Sequence, residues 1–470
     1  MKRRNFLKSA AGAAALGTPF IREAVAQSAP TRNETLIVVQ EYGPNSMDMQ
    51  GIGAAQPVND VSLNCYDTLI RFKRKPFGND GTLTHDLKDY EPSLATSWQV
   101  ASDGMSCMFK LRDDAVFHSK RPVTAKDVKW SMDRAVRIGG FATTQMAAGS
   151  LEKPEQFVAV DDKTFRIDFV RRDKLTIPNL GVTIPMIFDS ETAIAHSGGD
   201  PSAKDYLKNN VAGSGAFKAE SRKPGTETIY VRNDDWKCGP LPKLRRVITR
   251  DIPSPSTRRA LIERGDADMS YGLPPMDFKD LAEGGKIRVA AAPVPNAVWY
   301  VALNSVHPPF NDVRLRQAVA WAMPYEKIMS AALFGRGLPT WGGPEEVEKI
   351  GWPVPFPYRT DLEKAKALVA AATSGAGIST SLTFDAGSAT IAEPFAVWVQ
   401  ESLGQIGIKV ELNKVPRAKF RGELNKKTAP MVLTALAAGW TGRITSSSGT
   451  TIARIPSLMW RLTRTRKWTR

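Results

Sequence analysis

The chain has 470 residues, 42% of them hydrophobic, and a formal net charge of +16. That length accommodates about three domain-sized units of ordinary globular composition. The charge resembles a polyanion-binding signal only until it is divided: residues 1–26 carry +4, residues 441–470 hold seven basic residues and no acidic one, and 27–440 carries only +5, so the body needs no nucleic-acid partner.

The first 26 residues read as an address. A basic start is followed by a short Ala/Gly/Leu stretch and by Ala24-Val25-Ala26 before Gln27, the layout of a signal peptide with a small-residue cleavage site at Ala24 and Ala26. The apolar stretch is too short for a stable membrane anchor. Arg3-Arg4-Asn5-Phe6-Leu7-Lys8 resembles the twin-arginine export signal, with Arg3, Arg4, Phe6 and Leu7 as its motif residues. No cysteine stands at the cleavage point, so no lipid anchor is expected there and the mature product is expected free in a periplasm. Of the three cysteines, Cys65, Cys107 and Cys238, an oxidising compartment permits one pair and leaves one over. Cys107 alternates with apolar strand positions and reads as a buried free thiol.

Glu34–Val39 is an apolar run typical of a buried strand, and the Gly/Pro/Asn-rich loop EYGPNSMDMQ follows. From Ala95, SWQVASDGMSCMFKLR reads as two strands around an Asp103-Gly104 turn, with Trp98 and Val100 before it and Cys107, Phe109 and Leu111 after it. Thr124 then opens a helix with Asp127 three residues on, and Val128, Met132 and Val136 recur at helical spacing. By itself this hairpin–loop–helix unit carries no chemistry.

The same stretch, Ala95 to Ser131, resembles the signature of the family 5 solute-binding proteins of ABC importers, the dipeptide, oligopeptide and nickel-type receptors. The tryptophan, the SDG turn, the F-LR strand, VFH and the P-TA-DV-S helix start stand in order. Further segments match in sequence: Pro44–Met49, Cys65–Ile70, Asn210–Phe217, Asn233–Trp236, Arg264–Asp268, Pro308–Asp312 and Arg314–Ala318. The resemblance covers about residues 34–440. It implies an α/β, two-lobed type II periplasmic-binding-protein fold with an additional small domain in the first lobe. The implied organisation is a signal over 1–26, lobe I from 27–70 and 191–295, an accessory domain over 71–190, lobe II over 296–440 and an aberrant basic tail over 441–470. TDLEKAKALVAAA, Thr380–Phe384 and EPFAVWVQESLGQIGIKVELNKV alternate helix and strand in the second lobe, as an α/β layer requires.

Enzyme chemistry finds little support. The four histidines, His85, His118, His196 and His307, are scattered without metal-ligand spacing. Ser214 lies between Gly213 and Gly215, but the outer flanks are Ala212 and Ala216, which fails the nucleophile elbow and reads as a tight turn. No phosphate-binding loop is present. We therefore expect no catalytic residue, no metal and no cofactor. A binding protein needs a concave site lined by aromatics and a few fixed polar groups. Our candidates are Tyr42 and Asn45 in the first loop, Tyr66, Trp341 in PTWGGP, and Trp440.

The tail over 441–470 has many Thr, Ser and Arg and no apolar period. One allowed codon choice, read in another frame, turns Ser446-Ser447-Ser448 into three phenylalanines inside an aspartate- and aromatic-rich segment. That is what the resemblance leads one to expect after Gly439-Trp440. We therefore expect a frameshift, with the later part of lobe II and the segment returning to lobe I missing.

The leading functional expectation is a periplasmic substrate-binding component of an ABC importer. It would take a small-molecule or peptide ligand by hinge closure and deliver it to permease and ATPase subunits, as a monomer without nucleic acid or a stable membrane anchor. The alternatives are a nonfunctional truncated remnant of such a receptor and, remotely, a nucleic-acid- or surface-binding protein acting through the basic tail.

Overall fold

The computed structural model describes residues 30–55, 57–77, 81–337, 358–437 and 452–464. The apolar run after Glu34 forms β1 (Thr35–Gln40). A long hairpin, β2 (Ile70–Phe77) and β3 (Thr82–Pro92), makes a two-stranded sheet of its own. Next come β4 (Ala95–Val100) and β5 (Ser106–Leu111), joined around Gly104 at φ +69°, a left-handed position that suits glycine. With β6 (Phe157–Ala159) and β7 (Thr164–Asp168) they form a sheet of order β4-β5-β7-β6. Thr124 starts the helix Ala125–Arg137, and the Asp127 carboxylate accepts from the Thr124 backbone N–H at 3.0 Å and its hydroxyl at 2.7 Å.

The chain then adds β8 (Phe217–Lys223), β9 (Glu227–Arg232), β10 (Arg246–Asp251) and β11 (Met269–Tyr271) to the sheet around β1. The turn before β8 depends on Gly213 and Gly215. A Cβ on Gly213 would lie 2.0 Å from the Cys65 carbonyl oxygen, and one on Gly215 2.4 Å from the Cys65 carbonyl carbon. Between them Ser214 donates to Asp67 at 2.8 Å, so the segment is a packed turn, as its failed elbow pattern suggested.

β12 (Ile287–Leu303) is unusually long. Its second half pairs with β15 (Met431–Ala437), which lies beside β13 (Ile378–Asp385), itself paired with β14 (Ile408–Val415). β16 (Ile452–Arg464) runs antiparallel along nearly all of β12 and borders β11. One sheet of order β14-β13-β15-β12-β16-β11-β1-β10-β9-β8 therefore passes through both lobes. A register shift between Pro293 and Val298 interrupts the β12–β16 ladder where the chain changes lobes. The expectation that no segment returns to the first lobe is not met here. The tail lacks an apolar period, yet Ile452–Arg464 returns antiparallel to β12, because the edges of β12 and β11 leave a ladder of backbone groups to satisfy.

Two large cores match the two lobes. One joins Val61, Leu69, Phe109, Met132, Phe165 and Phe188, among others, so residues from the signature unit and from the flanking first-lobe segments share a single interior. The other joins Val301, Phe310, Val319, Leu382, Phe395 and Leu433. The three cysteines are buried and free; burial pushes the Cys107 thiol up to about 12.

Candidate ligand-binding site

The strand directions place a gap between the two sets of loops. β1, β10 and β11 are mutually parallel, and β12, linked to them through antiparallel β16, runs the same way, into the second lobe. β15, β13 and β14 run opposite to β12. The carboxyl ends of the parallel strands in each lobe therefore point at the other lobe. Loops at the carboxyl ends of parallel strands are where open α/β sheets bind ligands.

On the first-lobe side, β1 leads directly into Glu41, Tyr42 and Gly43. Gly43 lies against the end of β10, where an added Cβ would fall 2.5 Å from Asp251 Oδ1. The loops after β10 and β11 are tied by Arg258, which is fully buried and donates to the carbonyls of Ile252, Pro253 and Gly272 at 2.5, 2.8 and 2.9 Å. Glu41 is half-buried. Burial raises its carboxyl above the ordinary value; Arg258 opposes that rise, and Asp385 from the second lobe adds to it.

On the second-lobe side, Asp385 ends β13 and accepts from the Gly387 N–H at 3.0 Å. Val415 ends β14, and Pro416 turns the chain into the helix Arg417–Lys426. Arg417 stands 3.9 Å from Asp385 and donates to the Tyr42 hydroxyl at 3.3 Å, across the gap. Burial raises the Tyr42 phenol, with Arg417 pulling the other way, so the hydroxyl is protonated at neutral pH. A second contact between the lobes sets the Arg336 guanidinium over the Phe278 ring, 5.7 Å from its centroid.

The remainder of the first loop is anchored rather than free. Asp48 and Arg134 form a pair at 2.6 Å with both side chains 2% exposed. Arg134 also donates to Gln50 Oε1 at 2.9 Å and packs over the Trp130 and Phe188 rings. Asn45 spends its amide inside the loop, donating to Gly53 O at 3.0 Å and accepting from Ala55 N–H at 2.8 Å. Of the sequence candidates, Tyr42 reaches the gap and Asn45 shapes the loop beside it.

Tyr66 requires correction. It is 3% exposed, edge-on to Phe188 with centroids 5.0 Å apart, and its hydroxyl sits between Met47 O and Ala212 N–H. It is a core residue, because a buried phenol is held where its ring packs and its hydroxyl finds partners. Trp341 and Trp440 lie outside the described residues. Sequence reasoning overlooked Glu41, Arg258, Asp385 and Arg417. The available signal was positional, since Glu41, Asp385 and Arg417 each lie within two residues of the carboxyl end of a strand. Among the described residues no group of His, Cys, Asp and Glu is arranged to hold a metal ion, and no helix is long and apolar enough to cross a membrane.

The model of the bacterial extracellular solute-binding proteins, family 5, matches residues 89–451. The chain belongs to this family. Among its relatives, the probable D,D-dipeptide-binding periplasmic protein DdpA of Escherichia coli K12 is 30% identical over 368 residues, 78% of this chain and 67% of the relative. Heme-binding protein A of Haemophilus influenzae is 26% identical over 436 residues, 87% of this chain and 75% of that one. The family fold is evident in a solved dipeptide-binding protein from Pseudoalteromonas sp. SM9913 in complex with Met-Leu. It superposes with a TM-score of 0.75 at 18% identity, covering 92% of this chain and 96% of that structure.

Proposed function

We propose that this chain is the periplasmic substrate-binding component of an ABC importer, closing its lobes on a peptide or peptide-like solute for delivery to permease and ATPase subunits. The observation that carries the reading is the opposition of two sets of strand ends within a family 5 chain, bridged by Tyr42 and Arg417. A solute held between such walls shifts the open–closed balance only by contacting both. The peptide class is supported by the D,D-dipeptide-binding relative and the Met-Leu complex.

Within this reading Tyr42 belongs to the ligand wall, Asn45 sets its loop, and Trp341 and Trp440 are proposed ligand contacts. The protein acts as a monomer without a cofactor and is exported through the Arg3-Arg4 signal. A second reading, a frameshifted remnant that no longer binds, is favoured by the acid-free composition of residues 441–470; sequencing the locus distinguishes the two.

The test is thermal unfolding with D-alanyl-D-alanine, Met-Leu and haem, each titrated. A binding ligand at a hundredfold excess over its Kd stabilises by about 2.7 kcal/mol. We expect a concentration-dependent rise with a peptide. A rise with haem alone, or none with any probe, overturns the peptide assignment.

A further inference from the structure

The contact between Tyr42 and Arg417 joins residues 375 positions apart and links lobes that the crossing strands β12 and β16 also connect. Its two sides are built differently. Tyr42 follows β1 directly, and the adjoining loop is held by the buried Asp48–Arg134 pair and by Arg222, which donates to Pro44 O at 2.8 and 3.2 Å. Its hydroxyl is therefore presented from a fixed base. Arg417 is the first residue of its helix, 41% exposed, and its own-lobe partner Asp385 is 3.9 Å away. A guanidinium that loosely held can leave the tyrosine without breaking anything inside lobe II. The second bridge, Arg336 over the Phe278 ring, also sets an arginine of lobe II against an aromatic residue of lobe I, there by a cation–π contact and not a hydrogen bond.

We propose that Arg417 and Tyr42 form a clasp that sets how far the ligand-free protein is already closed. A hydrogen bond from a cation to a neutral hydroxyl at a partly exposed site is strong enough to bias an equilibrium between two lobe arrangements, yet too weak to lock it. Because apparent affinity scales with the population of the binding-competent form, the clasp also tunes ligand affinity from outside any ligand contact Arg417 makes.

The experiment needs no ligand. Dyes are placed on Lys204→Cys in the first lobe and Lys409→Cys in the second, both exposed, while the native cysteines are buried. Single-molecule energy transfer then reports the separation of the lobes in full-length protein. Tyr42→Phe and Arg417→Gln are each expected to lower the ratio of closed to open molecules about two- to tenfold. The double variant should fall no further than either single one, because both remove the same contact. Thermal unfolding of the variants checks that the lobes themselves are intact; Tyr42→Phe keeps the ring, so a folding defect is not expected there. Unchanged distributions in both single variants, or additive losses in the double one, overturn the proposal.

Discussion

Replacing Asp48 with alanine removes one half of the most buried ion pair that positions the first loop. Arg134 and Asp48 approach to 2.6 Å with side chains 2% exposed, so neither is screened by water. Without the carboxylate, Arg134 retains the Gln50 and Ser202 oxygens at 2.9 and 2.7 Å and two aromatic faces, but its charge is uncompensated. Leaving a buried charge unpaired costs about 3–5 kcal/mol, whereas replacing both members by apolar groups of similar volume is often close to neutral. We therefore expect Asp48→Ala to lower first-lobe stability by about that amount in urea unfolding followed by tryptophan fluorescence. Asp48→Leu combined with Arg134→Met should recover most of the loss. A single variant within about 1 kcal/mol of the parent, or a double variant as poor as the sum of both single changes, refutes the argument that charge burial, not packing alone, holds this loop.

His118 gives a pH dependence. Burial lowers its imidazole to about 4, below the ordinary 6.5, and its Nε2 lies 3.1 Å from Gly215 O. The unfolded chain then binds the extra proton first, so stability falls as pH drops from about 6.5 to about 4, with a slope of at most about 1.4 kcal/mol per pH unit for this group. Urea midpoints at pH 7, 5.5 and 4.5 should decline, and His118→Asn should flatten the profile; Asp200, held at about 2, titrates below this window. Gly215→Ala should abolish soluble folded protein, since its Cβ would overlap the Cys65 backbone; a variant with parental Tm contradicts that. Ending the chain before Ile452 exposes the edges of β12 and β11, so soluble yield should fall and light scattering rise on heating, whereas unchanged scattering and Tm would mean β16 contributes nothing to the sheet.

The signature hairpin and helix were legible because their information is local. The Asp103-Gly104 turn, the alternation through Cys107, Phe109 and Leu111, and the Thr124–Asp127 start each act within a few residues. The apolar run before β1 and the helices after Leu362 and Ala389 were legible for the same reason. Tyr66 was misassigned because an aromatic near a turn looks the same in sequence whether it packs inward or lines a gap; Phe188 and Ala212, far along the chain, decide its place. Glu41, Asp385 and Arg417 escaped notice because their meeting depends on strand order across two lobes, which no local pattern encodes. β16 escaped for a related reason: its pairing answers the open edges of β12 and β11, not a periodicity of its own.

The two sets of strand ends are expected to close on a bound solute. Small-angle X-ray scattering of the full chain, with and without a saturating peptide selected by thermal shift, tests it most directly. A smaller radius of gyration is expected with peptide, and replacing Tyr42 by alanine should raise the radius of the ligand-free protein. A peptide that raises the unfolding temperature while leaving the radius of gyration unchanged would contradict it.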